Sequence, residues 1–302
     1  VKTLNISRKS SGHHVRMSVR ATFRSARWQP SENSLGTGQK NMSLSIADVV
    51  DLTKYPFGND NFRSQCKGTL DDTGVLVMPD FLTAAAISAV KDEGDANQHL
   101  AFYTVDSHNV YLTPPDENYP LEHPRNRQVA SSKGCIASDQ IPHESALRTL
   151  YESSAFRKFL CSALGERELH EYADPLASIN LHYADEAQEL GWHFDNSSFA
   201  ITLMIQRPEG GGVFEYVKNV RDADNGEMNF ERAGEVLDGR APVQSLKMDA
   251  GTLVLFRGRN SMHRVTPVTG DRTRMLVVLA YNTKPGVSLS ESARKTFFGR
   301  LG

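Results

Sequence analysis

The chain is poor in cysteine. Cys66, Cys135 and Cys161 are widely spaced and form no C-x-x-C pair, which argues against a disulfide framework or a cysteine-built structural zinc site and suits a reducing compartment. Long apolar runs are missing too. The longest, Met275 to Tyr281, has seven residues, far short of the ~20 a membrane-spanning helix needs. No net charge of either sign dominates: 34 Lys and Arg against 36 Asp and Glu leave −2, so nothing global argues for nucleic acid or a membrane surface as partner. Neither an internal repeat nor a Pro/Gly/Ser linker occurs after residue 47. What is present, 302 residues at 39% hydrophobic and 23% charged, can bury a substantial core and excludes a disordered or collagen-like chain.

The near-zero charge hides an asymmetry. Residues 1–47 carry eight Lys and Arg, nine Ser and one acid, Glu32, leaving 26 basic against 35 acidic groups in residues 48–302. An Arg- and Ser-rich, acid-poor amino terminus has the composition of an organelle transit peptide. The expectation is a leader over 1–47, directing the protein to a plastid or mitochondrion, with a disordered basic tail on a cytoplasmic protein as the plainer alternative. Residues 48–302 then form a single domain.

Within that domain the first half reads as helical and the second as strand-rich. A short helix over Phe62–Leu70 stops at Gly74, Val75–Met78 reads as a strand, and Asp80 is placed to cap an Ala-rich helix running to about Glu93. Leu147, Leu150, Tyr151, Phe156, Phe159, Leu160 and Leu164 share one helical face that ends at Gly165. From residue 176 short runs rich in β-branched and aromatic residues follow: Ser178–Tyr183, Phe199–Gln206, Gly212–Val217, Val243–Lys247, Thr252–Phe256, His263–Val268 and Arg274–Asn282. Gly, Asp, Asn and Pro punctuate them at the intervals of a β-sandwich or barrel. Helices followed by strands, rather than alternating with them, argue against a doubly wound fold or a TIM barrel. The expected class is α+β to mainly β, a jelly-roll with helices packed on one sheet.

The chemistry lies among those strands. Trp192-His193-Phe194-Asp195 puts an imidazole and a carboxylate at i and i+2, which project from one face of a strand, and His263 heads a strand seventy residues later. Two His and one carboxylate on one face of Fe(II) leave the opposite face open, the arrangement of non-haem iron oxygenases. The surroundings match in order: H-x-D, then G-G-x-x-x-Y at Gly211–Tyr216, G-x-L-x-x-F at Gly251–Phe256, H-x-V-x-P-V at His263–Val268, and R-x-R at Arg272–Arg274. In this combination the chain resembles the Fe(II)- and 2-oxoglutarate-dependent dioxygenases over about residues 175–285. Within them it looks most like the halogenases and hydroxylases acting on free amino acids, through His108–Leu112, Ser131–Cys135, Asp139–Pro142 and Arg257–Asn260.

That resemblance implies a double-stranded β-helix (jelly-roll, cupin-like) core, iron held by His193, Asp195 and His263, and 2-oxoglutarate and O2 as cosubstrates. The far carboxylate of 2-oxoglutarate needs a bidentate arginine. Arg274 is the first choice and Arg272, of the same strand parity, the reserve. Tyr183 resembles a tyrosine that helps bind the cosubstrate in related hydroxylases, and reads equally well as a packed strand aromatic. Halogenases of the group have Gly or Ala in place of the metal carboxylate, so Asp195 points to oxygen chemistry. For a small amino-acid-like substrate, Arg125, Arg257 and Arg259 (with Arg127) are anion partners and Asn180, His182 and Asn196 neutral ones. His108 can face pocket or core, and Lys133 and Asp139 are placed in a loop at the mouth. Hydroxylation is expected, with radical cyclisation or desaturation as alternatives. A zinc hydrolase and a non-catalytic jelly-roll binding module are the competing classes, the first weakened by the lack of a further carboxylate placed as general base.

Overall fold

The computed structural model describes residues 44–302; the expected leader lies outside the described residues as far as residue 43. In chain order the elements are α1 (Ile46–Val49), α2 (Asp60–Thr73), β1 (Val75–Met78), α3 (Ala84–Asn97), β2 (Phe102–Asn109), β3 (Gln128–Ile136), α4 (Ala146–Glu152) and α5 (Ser154–Leu164). There follow β4 (Ile179–Ala184), β5 (Leu190–His193), β6 (Ala200–Gln206), β7 (Gly210–Gly211), β8 (Phe214–Val217), α6 (Phe230–Leu237), β9 (Gln244–Leu246), β10 (Leu253–Phe256), β11 (Met262–Val265), β12 (Val268–Thr269), β13 (Arg274–Leu279) and α7 (Glu291–Phe298). Among the described residues no helix is long and apolar enough to cross a membrane.

The strands run β1-β10-β6-β13-β4, continue through β3 into β5-β11-β8-β9, and β2 pairs with β3. Taking β4 to β13 in chain order and leaving out the two-residue strands, the chain alternates between two halves, with β4, β6, β10 and β13 in one and β5, the adjacent pair β8 and β9, and β11 in the other. This is the strand order of a double-stranded β-helix, as expected. Period-two alternation sorts the residues between layers. On β4, Ile179, Leu181 and Tyr183 join the core formed with α2, α4 and α5, where Leu70, Leu150, Phe156, Phe159 and Leu160 are wholly buried. Asn180, His182 and Ala184 face the other way and pair in register with Val278, Leu276 and Arg274 of β13.

Three local readings are corrected. The cap of α3 is Thr83, whose side chain accepts from the Ala86 N–H; Asp80 sits before it in a turn at φ 54. The apolar face over 147–164 belongs to two helices, broken at Ser153, whose hydroxyl caps α5. The first half is not simply helical, because β2 and β3 form a hairpin that joins the main sheet. Its sequence gives little strand signal. β2 is solvent-facing along most of its length, and β3 carries Ser131, Ser132, Lys133 and Gly134 where a core strand would carry branched aliphatics.

Candidate metal centre and its surroundings

His193 and His263 face each other across the β5–β11 pairing, in direct register. β5 ends at His193, and Asp195 follows in a connection held by main-chain bonds from Phe194 N–H to the Val110 carbonyl (2.9 Å) and from Asp195 N–H to the Gly258 carbonyl (3.1 Å). The two imidazoles have centroids 4.1 Å apart. Asp195 Oδ1 lies 3.8 Å from His193 Nε2 and 3.5 Å from His263 Nε2, and one donor atom from each of the three lies within 4.8 Å of the others. The expected convergence is therefore present, with the carboxylate two residues beyond the strand.

Each ring is oriented from behind. His193 Nδ1 is 2.8 Å from the Gly191 carbonyl, and His263 Nδ1 is 3.0 Å from the Ser261 carbonyl. A carbonyl only accepts, so each Nδ1 carries the proton and each Nε2 presents its lone pair to the shared space. Burial, and then the neighbouring His263, push His193 down to about 3. Burial works to raise Asp195, but the His263 and His193 imidazoles outweigh it and hold the carboxyl below its usual range. Burial thus favours the neutral form of His193 and its neighbours favour the ionised form of Asp195, the states in which these two groups ligate a cation. Asp195 Oδ2 is buried with no hydrogen-bond partner, an uncompensated oxygen that a metal ion would satisfy. Gly258 makes the space for it, since any Cβ there would overlap that carboxylate.

Arg274 lies in the same interior, 5% exposed. Its Nε donates to the Gly212 carbonyl at 3.1 Å, while Nη2 is buried without a partner. Burial lowers its pKa to about 10, so it remains a cation at neutral pH. Gly212 is needed here on two counts: its φ is +57°, and a Cβ would fall 2.9 Å from Arg274 Cδ. An arginine with one free donor edge suits a carboxylate such as that of 2-oxoglutarate.

The other predicted residues divide. Arg272 is exposed and donates to the Pro208 carbonyl at 3.3 Å, outside the interior. Tyr183 faces the helices, where its hydroxyl donates to the Gly94 carbonyl at 2.7 Å; strand alternation puts it on the opposite side of the sheet from Arg274, packed among apolar side chains. Arg257 turns away as well, to Asp71 and the Leu164 carbonyl. Asn196 is exposed, and its carbonyl accepts from Arg259, which also pairs with Asp224 at 2.9 Å. Arg125 donates to the Pro114 carbonyl and lies over the Tyr111 ring. Asn180 and His182 do face the interior. His108 meets the His193 ring edge-on at 6.1 Å, held by Ser131 Oγ at 2.7 Å.

Two residues gain importance only in three dimensions. Lys133 is not in a mouth loop but on β3, with its ammonium 3.3 Å from His182 Nδ1. Arg221 lies 4.2 Å over the Phe194 ring, donates to the Arg259 carbonyl and reaches the Asp195 carbonyl at 3.4 Å, bracing the connection that carries Asp195. Nothing in the spacing around Arg221 singled it out, because its partners are main-chain groups distant in sequence.

The family model described as Halogenase D matches residues 59–296. No curated protein sequence matches the chain significantly. Among solved structures the chain is similar to SnoN, a non-haem α-ketoglutarate-dependent epimerase of nogalamycin biosynthesis, at 13% identity and TM-score 0.53, over 74% of this chain and 84% of that one. SnoK, a carbocyclase of the same biosynthesis, gives 12% and 0.52 over 76% and 89%. A prolyl hydroxylase from Trichoplax adhaerens gives 14% and 0.50 over 76% and 92%. At such identities the likeness concerns the fold, which agrees with the observed strand order. The family match extends over most of the chain and takes in the whole site, so the protein belongs to the Halogenase D family.

Proposed function

We propose that the protein hydroxylates an unactivated C–H bond of a small amino acid or amino-acid-derived metabolite, while 2-oxoglutarate is converted to succinate and CO2. The observation that carries this reading is the pairing of two unsatisfied buried groups in one interior, Asp195 Oδ2 at the three-ligand cluster and Arg274 Nη2. His193, Asp195 and His263 hold the iron, and Arg274 holds the far carboxylate of 2-oxoglutarate. When bound there, iron with O2 and the keto acid would supply the oxidant for a C–H bond. The protein's own contribution is placement: main-chain carbonyls fix both imidazoles, and Phe214 and Phe256 flank His263 at centroid distances of 5.5 and 4.9 Å, excluding water from that side.

Asp195 separates hydroxylation from halide transfer. A carboxylate that takes the third protein position leaves no vacancy for chloride, even in a family described by halogenation. Cyclisation or desaturation would begin with the same hydrogen abstraction and differ in product mass. The test is anaerobic addition of Fe(II) and 2-oxoglutarate, which should give a visible charge-transfer band, followed by an aerobic screen of amino acids and N-substituted derivatives by mass spectrometry. Gain of one oxygen with stoichiometric succinate is expected. Absence of the band in iron-loaded protein would overturn the oxygenase chemistry; loss of two hydrogens would redirect it to ring closure or desaturation.

A further inference from the structure

The proposed chemistry accounts for one interior cation, yet the interior contains two. Lys133 has a single hydrogen-bond partner, His182 Nδ1 at 3.3 Å, and no carboxylate among the described residues pairs with it. Burial lowers its pKa, and Lys133 has the strand parity of Cys135, which pairs in register with His182, so its ammonium is on the face of the sheet that also carries Arg274. It borders a cavity of about 180 Å³ between β3, β4 and β13, walled by Asn180, His182 and Val278 and roofed by Phe297 and Phe298 of α7. Arg300 fastens that roof with two bonds to Asp139, at 2.7 and 2.6 Å. The volume slightly exceeds that of an engineered ~150 Å³ cavity that takes up benzene, so it suits a small molecule or one end of a larger one.

The charges decide what belongs there. Iron(II) is offset by Asp195 and the keto-acid carboxylate, and Arg274 by the far carboxylate. Lys133 is left without a counter-ion, and a desolvated ammonium with no anion is costly. Its donation to Nδ1 leaves the neutral His182 ring with its proton on Nε2, a second donor beside the first. We infer that Lys133, assisted by His182, anchors a carboxylate of the substrate in the cavity beneath α7, with the carbon chain running along its apolar walls. This rests on the oxygenase reading above and narrows its substrate to a molecule with a carboxylate joined to an apolar segment.

Hexanoate is the probe, titrated calorimetrically into metal-free protein, with hexan-1-ol as the uncharged control. Lys133→Met should weaken hexanoate at least about tenfold, Lys133→Arg and Arg274→Met should each stay within a few-fold of wild type, and hexan-1-ol should not distinguish the variants. With Mn(II) present, Lys133→Met should leave 2-oxoglutarate affinity within about threefold, whereas Arg274→Met weakens it at least about tenfold. The proposal is overturned if wild type does not bind hexanoate, if Lys133→Met binds it equally well, or if Lys133→Met costs 2-oxoglutarate as much as Arg274→Met does, since both cations would then grip one anion. Failure of wild type to bind Mn(II) and 2-oxoglutarate would sink the oxygenase reading instead, and leave the hexanoate result standing.

Discussion

The two faces of β4 and β13 make opposite use of burial. Toward the helices, Tyr183, Leu181, Met275 and Val277 lie in an apolar layer in which the Tyr183 hydroxyl has its acceptor. Toward the barrel interior, His182, Arg274 and the neighbouring Lys133 and Asp195 are crowded together with unsatisfied atoms or a single weak partner. Burial of apolar groups stabilises at roughly 25 cal/mol per Å², while buried polar groups without partners cost free energy. One layer therefore supplies stability that the other spends on function, and substitutions should respond accordingly.

The largest effect belongs to the ligands. His193→Ala or His263→Ala should reduce succinate production to background, beyond the ~10–100-fold that losing an outer-sphere partner costs, with little change in circular dichroism; turnover like wild type in either variant would break the assignment. On the helix side, Phe159→Ala should cost about 3–5 kcal/mol in urea unfolding yet leave Mn(II) affinity intact in the folded fraction. A loss of metal binding without a loss of stability would invert the comparison. Arg274→Met should raise the 2-oxoglutarate dissociation constant by about 2–4 kcal/mol, or ~30- to 1000-fold, and Arg272→Ala should barely move it. If the order reverses, the reserve arginine is the one that matters.

Tyr183→Phe sharpens the contrast on a single strand. It should cost about 1–2 kcal/mol of stability and leave 2-oxoglutarate binding unchanged; a selective rise in the keto-acid requirement would restore the cosubstrate role. The smallest effect is in the pH dependence. Burial first, then the charges of Lys133 and Arg274, hold His182 well below its ordinary 6.5. Below pH 6.5 the unfolded chain takes up a proton that the folded one refuses, so stability falls as pH falls. His182→Gln should flatten this acid limb by about 1 kcal/mol over the first pH unit below 6.5, read from urea midpoints across that range; an unchanged slope would mean that the imidazole is solvated.

The barrel and the first two members of the candidate metal triad were legible because their signals are local. His193 and Asp195 are two residues apart, and the strands of residues 176–282 alternate with turn residues between them. The helix boundaries at Gly74 and Gly165 were equally plain, since left-handed C-caps select glycine. The β2–β3 hairpin was not, because one strand lies mostly in solvent and the other faces a polar interior, so neither carries the apolar alternation by which strands are recognised. The substrate candidates fared worst. Arg257 sits two residues from Arg259 and close to the ligand loop in sequence, yet it bonds to α2 and the end of α5.

Residue type and spacing alone pointed to His193, Asp195 and His263 as a candidate metal-ligand set and to a jelly-roll fold. These depend on side-chain chemistry and on periods of two or 3.6 residues, both written along the chain. Which arginine enters the barrel, which side of the sheet Tyr183 takes, and that Lys133 faces the interior without a counter-ion were decided by tertiary structure alone. The placements of Tyr183 and Lys133 depend on strand register, since a shift of one residue would exchange the two faces of the sheet, and Arg272, of the same parity as Arg274, is left outside because β13 begins only at Arg274.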